Sequence, residues 1–84
     1  MASINIYYYK TKIGELILGS YKQQLCILDF RYRKMRKTVD NRIKKGLNAS
    51  FIEQDDRVLQ QARKELDEYL NREREVFEVP LLMV

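Results

Sequence analysis

Few residues in this chain have types that could do chemistry, and their neighbours limit them. There is one cysteine, Cys26, and no histidine anywhere in the 84 residues. A thiol accepts an alkyl group or undergoes redox exchange as its thiolate, which needs a nearby base or cation. Cys26 lies between Leu25 and Ile27, a setting that reads as a small buried hydrophobe with a raised thiol pKa. The second candidate is a basic run of Arg31, Arg33, Lys34, Arg36, Lys37, Arg42, Lys44 and Lys45, with Tyr32 inside it. Such a run has the charge of a phosphate-backbone contact. It also has the form of a solvated helix face over a core stripe, the favoured reading because no base-reading motif accompanies it. Of the run, Arg31, Arg33, Lys34, Arg36 and Lys37 are the candidate phosphate contacts.

Two further groups resolve into structural roles. Tyr7-Tyr8-Tyr9 could stack on bases, as in single-strand binders. Strand alternation instead sends Tyr8 to the core and leaves Tyr7 and Tyr9 for the opposite face, where a helix or a partner could cover them. Asp55-Asp56 and Asp67-Glu68 are adjacent carboxylates. Adjacent residues on a helix point about 100° apart, so the pairs do not converge on a metal or a proton, and helix-terminus and surface roles suffice. No cofactor, metal or catalytic residue is expected.

The elements that hold these residues follow from periodicity. Ile4 to Lys10 alternates with Ile4, Ile6 and Tyr8 on one face, which predicts a strand. A turn at Thr11-Lys12-Ile13-Gly14 leads to a second strand over Glu15 to Ser20, with Leu16 and Leu18 on one face. Tyr21 to Gln24 is a polar connection to a third strand, Leu25 to Phe30, which is apolar on both faces and expected to be covered on both. Arg31 to Lys45 carries Met35, Val39, Ile43 and Leu47 at a spacing of four, a helical stripe, with Gly46 where a C-terminal cap would sit. Ser50-Phe51-Ile52-Glu53 has capping-box spacing, and Asp55 and Asp56 suit a helix N-terminus. Leu59, Ala62, Leu66 and Tyr69 or Leu70 then predict a second helix that stops near Asn71. Glu75 to Val79 alternates again, predicting a last strand ended by Pro80. Strands, then helices, then a strand make one α+β domain, and the last strand can return parallel to an earlier one by a right-handed crossover.

Composition narrows the class. With 45% hydrophobic and 33% charged residues, the chain is too rich in core-formers for disorder and too charged for a membrane protein. No apolar run approaches a membrane span, and Met1-Ala2-Ser3 opens straight into a strand pattern with no signal-peptide regions. A cytoplasmic location is the default expectation, in keeping with a single cysteine. The net charge of +4 hides a division. Residues 1–45 carry eleven basic and three acidic side chains, whereas residues 46–84 carry five basic and nine acidic. A basic half attracts acidic or phosphate-rich partners without specifying a site.

The chain also resembles a known family. Tyr9 to Leu16 is similar to an opening hairpin with a Thr-Pro-[Ile/Leu]-Gly turn, from which Lys12 departs by replacing the usual Pro. Leu25 to Phe30 resembles the third strand. Leu66 to Leu81 matches a Leu-x-x-Tyr, Arg-x-x-Phe and Pro-Leu pattern through Leu66, Tyr69, Arg74, Phe77, Pro80 and Leu81. These are motifs of the N-terminal domain of methylated-DNA-protein-cysteine methyltransferases, the O6-alkylguanine-DNA alkyltransferases, and the resemblance runs along essentially the whole chain.

That resemblance implies a ribonuclease-H-like α/β fold in which a fourth strand lies parallel to the first and extends the three-strand meander. It implies DNA repair in which a damaged base is flipped out and its alkyl group moves once onto a cysteine of a C-terminal half. In the family that cysteine stands in a Pro-Cys-His-Arg motif and the same half carries the DNA-binding helix-turn-helix; neither motif is present here. The domain is therefore expected to be non-catalytic alone, a packing partner for a C-terminal catalytic domain that reaches DNA through the parent protein. The apolar ending Leu81-Leu82-Met83-Val84 is expected to pack or to continue into that half, and an exposed interface would favour self-association. The competing classes are a stand-alone small basic nucleic-acid-binding module and a protein-interaction domain.

Overall fold

A computed structural model describes residues 2–82. Ala2–Thr11 forms strand β1, Gly14–Tyr21 β2 and Gln24–Phe30 β3. β1 and β2 are antiparallel from Asn5↔Ser20 to Thr11↔Gly14, and β2 and β3 are antiparallel from Leu16↔Phe30 to Tyr21↔Gln24. The predicted meander is thus present with each strand slightly longer than expected. The β2–β3 turn places Lys22 and Gln23 at φ 49° and 64°, the left-handed pair that a two-residue hairpin turn demands. The β2–β3 register shifts after Gly19: Gly19 faces Ile27 and Ser20 faces Leu25, so Cys26 is the extra residue of a bulge. A Cβ on Gly19 would stand 2.8 Å from Ile27 Cδ1, so this close crossing requires glycine.

Beyond β3 the structure departs from expectation. Helix α1 runs from Arg36 to Leu47, not from Arg31 to Lys45. Residues 31–35 form turns instead, pinned to the sheet by the Arg31 N–H donating to Glu15 O at 2.9 Å. Met35 is the N-cap, left-handed and without a side-chain cap bond, and it is exposed rather than part of the stripe. The C-cap is Asn48, also left-handed, and Gly46 lies inside the helix. No residue of α1 is fully buried, and Val39, Ile43 and Leu47 are half-buried.

The apparent capping box is a strand. Ala49–Glu53 forms β4, parallel to β1 from Ala2↔Ala49 to Ile6↔Glu53, and the sheet order is β3-β2-β1-β4. The fourth strand parallel to the first therefore exists, but it lies between the helices and not at residues 75–79. Helix α2 follows at Arg57–Leu70, with N-cap Asp56 accepting from the Leu59 N–H and C-cap Asn71. Residues 75–79 belong to no strand; the tail pairs only at an isolated parallel bridge between Leu25 and Leu81.

Two apolar layers result. On one face α2 buries Leu59, Ala62 and Leu66 against Leu16, Leu18, Leu25 and Val79, with Tyr7 and Tyr9 alongside. On the other, Ile4, Ile6, Ile17, Ile27 and Ala49 pack with Tyr8, Ile43 and Leu47. The alternation predicted for the tyrosines holds, and α2 covers Tyr7 and Tyr9. The two-sided cover expected for β3 is incomplete, because β3 is an edge strand and Leu28 and Phe30 are 43% and 48% exposed. Met83 and Val84 of the apolar ending lie outside the described residues.

Candidate functional site

The basic run divides in three dimensions. Arg31 pairs with Glu15 at 3.3 Å and lies 3.8 Å over the Tyr8 ring. Arg33 reaches Asp29 at 2.5 Å, and Arg36 joins Asp29 at 3.2 Å to Asp40, its Nε donating to Asp40 Oδ1 at 2.8 Å. Burial alone would raise the Asp29 carboxyl pKa, but Arg33, the Phe30 N–H and Arg36 together hold it below its ordinary value. Three of the five candidate phosphate contacts thus pin the β3–α1 connection to the sheet. Lys34 and Lys37 are exposed and make no ion pair among the described residues, and Arg42 and Lys45 on α1 share that state. Lys44 lies 4.4 Å over the Phe51 ring.

The adjacent carboxylates separate as their helical angles require. Asp55 takes a two-pronged pair from Arg63 at 2.9 Å on both oxygens, while Asp67 accepts from Tyr9 Oη at 2.6 Å and Glu68 from Arg74 at 3.0 Å. Asp56 faces inward. Its Oδ1 caps α2 through the Leu59 N–H at 2.8 Å, and its Oδ2 accepts from Asn5 Nδ2 at 2.8 Å and from Ser20 Oγ. Burial would raise the Asp56 pKa, yet these donors outweigh it and lower it. A polar cavity of about 610 Å³ opens here, lined among others by Ser3, Lys22, Arg57 and Gln61. Its inner polar groups are taken up by one another.

Cys26 is half-buried on the β3 bulge, and burial pushes its thiol up to about 11. With no histidine in the chain to act as base, the thiol stays protonated at neutral pH.

Glu65 escaped the sequence reading. It is 3% exposed, three residues after Ala62 and seven after Val58, inside the apolar arc of α2. Its Oε1 accepts the Glu78 N–H at 2.7 Å and the Val79 N–H at 3.1 Å, and its Oε2 accepts from Gln61 at 2.7 Å. An acidic residue within an apolar arc was the available signal. Its partners, thirteen and fourteen residues away, were not.

The tail held by Glu65 completes an apolar rim. Ile13, Leu28, Phe30, Leu66, Tyr69 and Phe77 line an open cavity of about 280 Å³ between α2 and the β3 edge. Tyr69 and Phe77 pack with ring centroids 5.4 Å apart. Ile13, Leu28, Phe30, Tyr69 and Leu81 are each more than two-fifths exposed, an apolar concentration of the kind that marks an interface.

The described residues thus present an apolar rim and a cationic helix face, with no nucleophile–base pair. No helix among them is long and apolar enough to cross a membrane. No curated protein and no solved structure matches the chain significantly. A family model described as "6-O-methylguanine DNA methyltransferase, ribonuclease-like domain" matches residues 5–83, nearly the whole chain. The order of three antiparallel strands, a helix, a strand parallel to the first and a second helix agrees with that description, and the chain belongs to this family as its N-terminal, ribonuclease-like domain.

Proposed function

We propose that this domain is the non-catalytic part of a DNA-repair methyltransferase that moves the alkyl group of O6-alkylguanine onto its own cysteine. Its role is to pack against the catalytic half through the rim formed by Ile13, Leu28, Phe30, Tyr69 and Phe77. The rim is the observation that carries this reading: large apolar side chains stand exposed beside a half-filled groove. Cys26 takes no part in transfer, because its thiol is held protonated and no base adjoins it. A cytoplasmic setting suits a chain with one free cysteine.

The test adds a family catalytic domain in trans and reads complex formation by analytical size exclusion. The expected result is a stable complex that Leu28→Asp with Phe30→Asp abolishes, with the fold of the variant unchanged by circular dichroism. Failure of the native chain to form any complex would refute the reading. Incubation of the chain alone with an O6-methylguanine oligonucleotide should leave its intact mass unchanged. A methyl gain on Cys26 would overturn the non-catalytic assignment.

A further inference from the structure

We infer that the outer face of α1 binds the phosphate backbone of duplex DNA, through Lys37, Arg42 and Lys45 with Lys34 at its entrance. The choice of DNA as partner rests on the repair reading above; the surface itself rests on the geometry.

At about 100° per residue, Lys37, Arg42 and Lys45 fall within one arc of α1. Arg36, Val39, Asp40, Ile43 and Leu47 occupy the opposite arc, half-buried toward the sheet. The only acid in the helix, Asp40, lies on that inner arc and is paired to Arg36, so the outer face carries cations alone. Thr38 and Asn41 stand exposed between them as uncharged hydrogen-bonding groups. Lys37 to Lys45 spans eight residues, or about 12 Å of helix at about 1.5 Å per residue, enough to follow several successive phosphates of one strand.

The ion pairs make this assignment sharper than the sequence could. Arg31, Arg33 and Arg36 are committed to Glu15, Asp29 and Asp40 and hold the base of the helix in place. The four outward cations have no such commitment among the described residues. An anionic membrane is the poorer fit. A helix that lies in a lipid interface inserts an apolar face, and the apolar side of α1, through Ile43 and Leu47, is packed on the sheet.

The experiment is a fluorescence-anisotropy titration of a short undamaged duplex with the full chain, repeated across salt concentrations. Three neutralised phosphates give a log–log salt slope of about −2.7, so affinity falls about 40-fold between about 50 and 200 mM salt. The triple variant Lys37→Glu, Arg42→Glu, Lys45→Glu should lose binding, and the milder Lys37→Gln, Arg42→Gln, Lys45→Gln should flatten the slope by about three. A control reversing Lys64 and Arg72, exposed cations on and beyond α2, should bind as the native chain does. No duplex binding at low salt, an unchanged slope in the glutamine triple, equal loss in the control, or binding to phosphatidylserine vesicles but not to duplex would each overturn the inference. Complex formation with the catalytic domain is read on the same variants. It should persist in both triples, so failure at α1 and failure at the apolar rim are distinguishable.

Discussion

Glu65 Oε1 accepts the Val79 N–H at 3.1 Å and the Glu78 N–H at 2.7 Å, fastening the segment after α2 onto the helix from inside the core. Val79 is 3% exposed, and its burial depends on a carboxylate that is itself buried. The arrangement turns the tail toward β3, where the Leu25 N–H donates to Pro80 O at 2.7 Å and the Leu82 N–H to Leu25 O at 2.9 Å.

This carboxylate makes stability sensitive to acid. Burial would raise its pKa, but the donors from Gln61, Glu78 and Val79 prevail and lower it below the ordinary value of 4.5. A carboxyl with a lowered folded pKa contributes stability that is complete above about pH 4.5 and is lost as pH falls through the folded value. Asp29, Asp55 and Asp56 are shifted in the same direction, so all four act with one sign. Glu65→Gln keeps an acceptor and should flatten the loss of stability between neutral pH and about pH 3. Glu65→Ala leaves two backbone donors without a partner and should cost roughly 2–4 kcal/mol. Urea melts across pH provide the measurement, and an acid profile for Glu65→Gln identical to that of the native chain would contradict the role assigned here.

Asp56 joins three elements at one side chain: the start of α2, Asn5 on β1 and Ser20 on β2. Asp56→Ala removes the helix cap, for about 1 kcal/mol, and also strands the buried Ser20 hydroxyl, so a total of about 2–3 kcal/mol is expected. Asp56→Asn retains one acceptor and should recover at least half of that. Thermal melts of the two variants decide it, and equal losses would show that the cap alone matters.

The β2–β3 turn offers a gain. Lys22 and Gln23 both adopt positive φ, which costs an ordinary side chain about 1 kcal/mol or more. Asn-Gly suits such a turn. Replacing Lys22→Asn with Gln23→Gly should therefore stabilise the domain by about 0.5–1 kcal/mol in denaturant melts. A loss of stability would mean that the native side chains make compensating contacts at the mouth of the polar cavity.

The local elements were legible because their signals are local. The alternation of Ile4, Ile6 and Tyr8, the turn ending at Gly14 and the α2 stripe of Leu59, Ala62 and Leu66 each depend on neighbours a few residues away. The family resemblance was legible for the same reason, since its motifs are short patterns in a fixed order, and the family match over residues 5–83 agrees with it.

Long-range pairing decided the rest. Ser50 to Glu53 has capping-box spacing, but the edge of β1 offers five residues of parallel ladder, and pairing there prevailed over a cap. Glu75 to Val79 alternates like a strand, yet Glu65 claims two of its N–H groups, which a sheet neighbour would otherwise receive. The basic run is one run in the sequence and two surfaces in space. Whether an arginine meets Asp29 or solvent depends on how α1 crosses the sheet, which no local spacing encodes. Sequence by itself determined which segments could form strands and helices and to which family they belong. Only the tertiary structure decided which of those possibilities found partners, because a hydrogen bond or ion pair across many residues forms only once the chain is folded.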